Sequence, residues 1–180
     1  TKKSQKFKLI IKGGNWGLAS NTIHMLDLFA FLTGSDDFSI DINGLYDEIY
    51  QSKREGFIEL GGRLLVTNKK GQILDIIDKK KKDLPLKMKI YTDDEIIEIL
   101  QNEKLCRIDF VNKANFSETP FIMPLQSELT SEIVESLLEF GDCGLATINE
   151  SYILHSEMIN AFNKHLFSIN KHNSNICPIT

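Results

Sequence analysis

The sequence predicts an α+β fold in which helices cover one face of an open, mostly antiparallel β-sheet. Three observations support this class. The β-favouring segment "FKLIIKGG" leads into a long apolar helix, the middle of the chain alternates with the period of strands, and the last third has helical spacing. A chain of 180 residues that is 42% hydrophobic is long enough for one core. We therefore expect a single domain over residues 1–167 and a polar tail over 168–180.

The first helix is the most unusual segment, because "GGNWGLASNTIHMLDLFAFLTG" is apolar on nearly all sides. Ser20 or Asn21 could cap its start, and Gly34 is suited to end it. We expect this helix to be buried.

Three polar residues interrupt its apolar surface. Ser20, His24 and Asp27 follow each other at spacings of four and three, so on a helix they form one narrow stripe. A buried polar group without a partner costs roughly 1–3 kcal/mol, so the stripe needs internal hydrogen bonds or a wet cavity. A core histidine bonded to Asp27 is the simplest arrangement.

The middle of the chain reads as a run of strands. The segments "DFSIDIN", "REGFIELGGRLLVTN" and "QILDIID" are strand-like, and "NKKGQ" supplies the glycine for a tight hairpin turn between the last two. The segment "DDEIIEILQNEK" could form a short helix, but "LKMKIY" and "KLCRIDFV" on either side favour a continuing meander. Because "FIEL", "RLLV" and "ILDII" are apolar on more than one side, we expect another subunit or domain to cover the far sheet face.

Two helices close the chain. The segment "LTSEIVESLLEFG" places Ile133, Val134 and Leu137 on one helical face and stops at a glycine. Thr147 and Glu150 have the spacing of a capping box at the start of the last helix. The two prolines of "ETPFIMPLQS" indicate an extended crossing before this pair.

Charge and composition exclude several classes. The net charge of −4 argues against general nucleic-acid or anionic-membrane binding. Apolar runs shorter than the roughly 20 residues that span a bilayer, and the lack of an apolar secretory signal, favour a cytoplasmic protein. The widely spaced Cys106, Cys143 and Cys177 indicate reduced thiols rather than a disulfide framework or a zinc site.

The remaining charged and polar residues give weak signals. The lysine run 79–82 is expected to be a solvated hairpin tip rather than an anion site. Arg54 and Arg63 could bind a phosphate or carboxylate, but surface or interface pairing is the simpler role. His155, His165 and His172 are expected to have packing or surface roles rather than catalytic ones. Since G-x-G-x-x-G, G-x-x-x-x-G-K-[ST], H-E-x-x-H and G-x-S-x-G are all absent, no segment forms a recognisable nucleotide, metal or acyl-transfer site.

The segment "GGNWGLASNTIHMLDLFAFLTG" resembles the opening of the C-terminal domain of the Gfo/Idh/MocA oxidoreductases. There a glycine-rich stretch precedes a helix with an aspartate, a histidine four residues later and a second aspartate three further. "KREGFIELGGRLLVTNKKGQILDI" is similar to the sheet strands of that domain, and "INESYILHSEMINAF" to its closing helix. The resemblance implies a dehydrogenase C-terminal-domain-like fold. It also implies a missing N-terminal Rossmann domain that binds NAD or NADP, which is compatible with a chain that starts at Thr1.

The same resemblance implies roles for the helix residues. It makes His24 the catalytic acid/base, a role for which histidine is the residue type most often used. Asp27 matches the second aspartate, as a structural partner. Ser20 stands where the family has the first aspartate, so either another group orients the histidine or catalysis is altered.

The loop and first turn supply the expected substrate contacts. Asn15 and Trp16 would offer an amide and an aromatic face to a sugar, with Ser20 and Asn21 beside them, although core packing of Trp16 is equally compatible. We thus expect the substrate-binding and oligomerisation domain of an NAD(P)-dependent sugar oxidoreductase, at least dimeric through the sheet face. The alternative is a non-catalytic ligand-binding or assembly protein of the same fold, which Ser20 favours.

Overall fold

A computed structural model describes residues 6–81, 84–113, 115–169 and 176–179. The described part contains three α-helices, α1 (Leu18–Thr33), α2 (Gln126–Phe140) and α3 (Ile148–Ser168). Its strands are β1 (Lys8–Gly14), β2 (Phe38–Leu45), β3 (Tyr50–Gln51), β4 (Ile58–Glu59), β5 (Gly62–Asn68), β6 (Ile73–Lys79), β7 (Lys87–Tyr91), β8 (Glu95–Leu100), β9 (Leu105–Phe110) and β10 (Phe116–Pro120).

Eight strands form one open sheet in the order β10-β9-β8-β7-β1-β6-β5-β2, and β3 pairs with β4 in a separate hairpin. Within the large sheet, β1 and β6 run parallel and every other neighbouring pair is antiparallel. The α+β class with a mostly antiparallel open sheet is therefore confirmed. The uncertain middle segment is strand β8, followed by a short 3-10 turn at Gln101–Glu103, so the meander is also confirmed.

The core lies between one sheet face and the helices α1 and α3. Alternate residues of the central strands, such as Leu9 and Ile11 in β1 and Leu74 and Ile76 in β6, are fully buried on this face. Phe29 of α1 is also fully buried and packs against them. Burying such a side chain contributes about 1.5–3 kcal/mol, so this layer fixes α1 on the sheet.

Helix α1 is not buried all round, and that prediction is wrong. His24 and Asp27 are exposed, and Phe31 is 84% exposed. The helix packs on the sheet and on α3, and no described element covers its opposite side. The predicted core histidine pair is likewise absent, since no hydrogen bond joins His24 to Asp27 in the described chain.

The sheet face opposite the helices carries a row of charges. The strand register places Ile10, Lys89, Glu98, Arg107 and Glu118 side by side across five strands. The Lys89 and Glu98 side chains approach to 3.1 Å, and Arg107 Nε donates to Glu118 at 2.8 Å. Alternating signs therefore run across this face.

The same row contains a buried carboxylate. Asp75 of β6 is only 3% exposed and accepts two hydrogen bonds from the Arg63 guanidinium, at 2.7 and 2.9 Å. Lys8 lies 3.5 Å from the same carboxylate. Arg63 thus has the pairing role that the sequence favoured over a ligand contact.

Both closing helices form as predicted, with α2 ending at Gly141 and Thr147 and Glu150 forming a capping box on α3. The apolar face of α2 stays open to solvent, with Leu138 81% exposed. None of the described helices combines the length and apolar character needed to cross a bilayer. The three cysteines are free thiols, and burial raises the pKa of Cys177 to about 11.

Part of the C-terminal segment, residues 176–179, contacts the rest of the fold. The Ile58 amide donates to the carbonyl of Pro178 at 2.8 Å, which attaches residues 176–179 to the hairpin. The predicted tail boundary at residue 168 stays a prediction, and His172 lies outside the described residues.

Candidate functional site

The site begins at a cavity of about 790 Å³ at the start of α1. Its walls come from the loop before α1, the β3–β4 hairpin and the end of β6. All four predicted substrate contacts line it, together with residues of the other two walls: Asn15, Trp16, Ser20, Asn21, Tyr50, Lys53, Arg54, Glu59, Asp78, Lys79 and Lys80. The structure therefore brings the predicted binding residues together in one concave place.

A carboxylate from the sheet holds the loop at the start of α1. Asp78, 4% exposed at the end of β6, accepts a hydrogen bond from the Asn15 amide at 2.6 Å. Burial raises the pKa of the Asp78 carboxyl above its usual value, while the backbone N–H groups of Asn15, Leu18, Trp16 and Gly17 act to lower it. This carboxylate takes the place of a helix cap, because the residue at that position is Gly17, which has no side chain to accept a bond.

A second carboxylate binds the next amides of the helix. Glu59 of β4 accepts from the Ala19 amide at 3.0 Å and from the Ser20 amide at 3.2 Å. The first turn of a helix carries unpaired N–H groups and partial positive charge, which carboxylates satisfy. The positive end of α1 is therefore already occupied by the protein's own acids.

Three of the four predicted substrate contacts are fixed by hydrogen bonds to backbone carbonyls of this chain. Trp16 Nε1 donates to the carbonyl of Ile77 at 3.2 Å, so the indole is fixed and partly packed on the core while it lines the cavity. Asn21 Nδ2 donates to the carbonyls of Trp16 and Gly17 at 3.0 and 2.9 Å. Ser20 Oγ donates to the Gly17 carbonyl at 3.3 Å. These bonds make the loop rigid.

His24 faces a different cavity. It lines a space of about 820 Å³ together with Asp27, Phe31, the segment between α2 and α3, which includes Thr147, and Glu150 in the first turn of α3. Ser20 and His24 are four residues apart, about 6 Å along the axis, so the exposed stripe of α1 connects the two cavities. The predicted acid/base thus lies one turn beyond the predicted binding residues.

Basic side chains form the rim of the first cavity. Lys53 and Arg54 come from the turn of the β3–β4 hairpin, and Lys79 and Lys80 from the end of β6. Lys80 pairs with Glu48, and its ammonium lies 5.5 Å from the ring centre of Tyr46. The lysine run expected to be a solvated hairpin tip therefore begins in the cavity wall, although both lysines remain exposed.

The hydroxyl of Tyr50 is an unsatisfied group in the same wall. It is buried and has no hydrogen-bond partner among the described residues. Burial raises its pKa, and the nearby Tyr46 and Asp78 add to the effect. A buried hydroxyl without an acceptor costs stability, so a polar ligand atom would improve this wall.

The described residues contain no group of three or more histidine, cysteine or acidic side chains placed to hold a metal ion. His165 is a core residue, whose Nε2 lies 3.0 Å from the carbonyl of Tyr46. His155 Nδ1 lies 2.7 Å from the Ser151 carbonyl within α3. The expected packing roles of these two histidines fit their positions.

Comparison with known proteins was informative only for structure. No protein-family model matches the sequence, and no curated protein matches it. Among solved structures, the UDP-N-acetylglucosamine 3-dehydrogenase from Acidithiobacillus ferrooxidans superposes with a TM-score of 0.60 at 10% identity, over 87% of this chain and 51% of that one. A Gfo/Idh/MocA family oxidoreductase from Vibrio cholerae gives 0.54 at 13%, over 94% and 55%.

A mutant 3-ketoreductase from Actinomadura kijaniata, in complex with TDP-benzene and NADP, gives a TM-score of 0.54 at 11% identity, over 85% of this chain and 49% of that one. The chain has the fold of Gfo/Idh/MocA oxidoreductases. It spans about half the length of these structures. The resemblance found in the sequence therefore predicted the correct fold family.

The sequence did not reveal the two carboxylates, and it did not bring Arg54 and the lysine run together at one site. Asp78 and Glu59 are distant in sequence from α1 and lie in apolar strand segments, so only the sheet order places them at the helix start. One signal was available: the start of α1 has the glycine Gly17 as its cap and no acidic residue in its first turn. Its unpaired amides needed acceptors from elsewhere.

Proposed function

We propose that this chain is the substrate-binding and oligomerisation domain of an NAD(P)-dependent oxidoreductase that acts on a sugar or sugar derivative. One observation carries the proposal. The four loop and helix residues that the sequence analysis expects to contact substrate line one cavity, and the last two of them lie within about one helical turn of His24, in a chain with the fold of Gfo/Idh/MocA oxidoreductases. Two of those neighbours are described as a 3-ketoreductase and a UDP-N-acetylglucosamine 3-dehydrogenase.

The walls suit a sugar ring. A fixed indole face at Trp16 gives an apolar surface for the C–H face of the ring, and the side-chain amide of Asn15 can bind its hydroxyls. Because Asp78 and Glu59 hold the surrounding backbone, these groups keep their positions without substrate. Such preorganisation lowers the entropy cost of binding.

His24 is the proposed acid/base. His24 is exposed on the same side of α1 as Ser20, which lines the cavity. It can therefore exchange a proton with the reacting hydroxyl or carbonyl of a bound sugar. A histidine in this role needs access to substrate and a titration range near neutral pH. Asp27 lies three residues further on the same stripe, as a structural neighbour.

The described residues do not form a dinucleotide site. The sequence has no glycine-rich fingerprint, and the amides at the start of α1, which could bind a phosphate, are bound by Asp78 and Glu59. NAD or NADP, which supplies the redox chemistry, would therefore be held by a separate N-terminal Rossmann domain. This chain's own part is to bind and orient the sugar and to hold a proton at His24.

The test is a substitution in the complete enzyme with its cofactor domain. His24→Ala should lower turnover by on the order of 10²-fold or more, as loss of a general acid/base does. His155→Ala on α3 is the matched control and should leave turnover unchanged. Near-normal turnover of His24→Ala would exclude the assigned role.

One observation favours a second candidate, a non-catalytic ligand-binding or assembly protein. In the described chain no charged group holds the His24 imidazole, and Ser20 Oγ bonds back to the Gly17 carbonyl. A full-length protein that binds the cofactor but neither oxidises nor reduces any of a broad sugar panel would establish this alternative.

We also propose assembly through the sheet face that the helices leave open. Its row of alternating charges can pair with a second copy related by a two-fold axis, and Leu65 and Ile10 on the same row add apolar area. The partners of this chain would then be a sugar-like substrate, its own cofactor domain and another subunit.

A further inference from the structure

The basic rim of the first cavity has more positive charge than the protein itself neutralises. Four cationic side chains line the cavity, and the two acidic ones, Asp78 and Glu59, are already bound by backbone amides. Lys80 pairs with Glu48. Lys53, Arg54 and Lys79 line the cavity and have no ion pair within the described residues, so no acidic side chain there neutralises their charges.

These cations come from two walls. Lys53 and Arg54 lie in the turn of the β3–β4 hairpin, and Lys79 ends β6 beside the buried Asp78. Like charges that converge on one space repel each other, and an anion placed between them relieves that repulsion. The planar guanidinium of Arg54 can bind two oxygens of a phosphate at once, and lysines add point charges.

The position of the rim defines which part of a ligand it would contact. The rim residues share the cavity with the fixed indole of Trp16, whereas His24 lines the neighbouring cavity. A ligand with its ring on Trp16 and its reacting carbon toward His24 would extend its far end to the rim.

We infer that the ligand of this cavity carries a phosphate group, bound by Arg54, Lys53 and Lys79. The inference rests on the proposed function and names a group on its substrate: a phosphorylated sugar, with the phosphate either as a monoester or within a nucleoside diphosphate. A neutral sugar would leave the three cations unpaired.

The chain has a built-in reporter for this binding, because Trp16 is its only tryptophan. Glucose, glucose 1-phosphate and uridine diphosphate glucose are titrated into the 180-residue chain, with excitation at the red edge of tryptophan absorption, where uridine does not absorb. We expect saturable changes in emission with the phosphorylated probes at concentrations where glucose gives none. The monoester and the diphosphate separate the two sources of phosphate.

Substitutions assign the effect to the rim. Arg54→Ala and Lys53→Ala should each weaken binding of the better phosphorylated probe by about tenfold or more, which is the usual effect of losing one charge-assisted hydrogen bond. Added salt should weaken it as well. Lys113→Ala, an exposed lysine between β9 and β10, is the matched control and should bind like the wild type. Circular dichroism verifies that every variant is folded.

Three results would overturn the inference: glucose binding as tightly as its phosphorylated forms, no saturable change with either phosphorylated probe at millimolar concentration, or unchanged affinity in Arg54→Ala and Lys53→Ala. The proposed function can be rejected independently of the phosphate site. Rim-dependent phosphate binding combined with normal turnover of His24→Ala in the complete enzyme would support the phosphate site and reject the acid/base role.

Discussion

Removing the Asp78 carboxylate should be among the most damaging single changes outside the apolar core. The residue is 4% exposed and accepts from the Asn15 amide at 2.6 Å, with the amides of Trp16, Gly17 and Leu18 directed at the same group. Hydrogen bonds to a charged acceptor contribute about 1.5–3 kcal/mol each, and unpaired buried amides add their desolvation cost. We expect Asp78→Ala to lower the free energy of unfolding by about 3 kcal/mol or more.

Two further variants show whether burial of the carboxylate determines how much free energy of unfolding is lost in Asp78→Ala. Glu59→Ala also removes an acceptor from two amides of α1, but Glu59 is partly exposed to the cavity, where water can replace it. We expect about 1–2 kcal/mol for that change. Asp93→Ala removes an exposed carboxylate that accepts one bond, from the Lys6 amide, and should cost less than about 0.5 kcal/mol.

Urea unfolding followed by circular dichroism measures all three values. For a chain of this size, about 3 kcal/mol corresponds to a drop in Tm of roughly 6–12 °C, which a thermal scan resolves. If Asp78→Ala were no more destabilising than Asp93→Ala, the sheet carboxylate would not be what holds the start of α1.

Two other predictions concern pH and assembly. Because burial raises the pKa of the Asp78 carboxyl above its usual value of 3.8, folding favours the protonated form, and that added stability is lost as pH rises through the folded pKa, although the ionised group still accepts the backbone hydrogen bonds. The stability of the wild type relative to Asp78→Asn should therefore fall as pH rises from about 4, and a rise in urea titrations would contradict this. Leu65→Lys should convert a light-scattering dimer to monomer at micromolar concentration, whereas Leu138→Lys on the exposed face of α2 should not; a monomeric wild type would refute assembly through the sheet.

Local periodicity was enough to predict most of the fold. Strands such as β5 and β6 alternate clearly and are joined by a glycine turn, and the capping box of Thr147 and Glu150 defines the start of α3 within the chain itself. Each of these features depends on neighbours in sequence. The burial of α1 was misjudged for a different reason. Composition shows that its residues are apolar, but whether Phe31 is covered depends on how many layers the fold stacks above the helix.

The candidate site could be predicted only in part for a similar reason. Asn15, Trp16, Ser20 and Asn21 lie close together in sequence, in one loop and the helix turn that follows it, so the sequence alone places them together. Asp78, Glu59 and Arg54 reach the same cavity through strand pairing and the hairpin. Their long-range contacts leave no periodic trace in the sequence, and a lysine run next to a strand looks the same whether it faces water or a ligand.

The serine that stands where the family has an aspartate has a physical explanation in this chain. Ser20 Oγ and the Glu59 carboxylate border the same space beside Gly17, where an added Cβ would lie 2.9 Å from the first and 3.3 Å from the second. A carboxylate at position 20 would lie near the Glu59 carboxylate, and two like charges in such proximity repel each other. The amides at the start of α1 already have their acids, Asp78 and Glu59, so a hydroxyl is the compatible group at this position. Under the proposed function, a charge that orients His24 would therefore come from a group other than residue 20, and Asp27, Asp142 and Glu150 line the same cavity as His24.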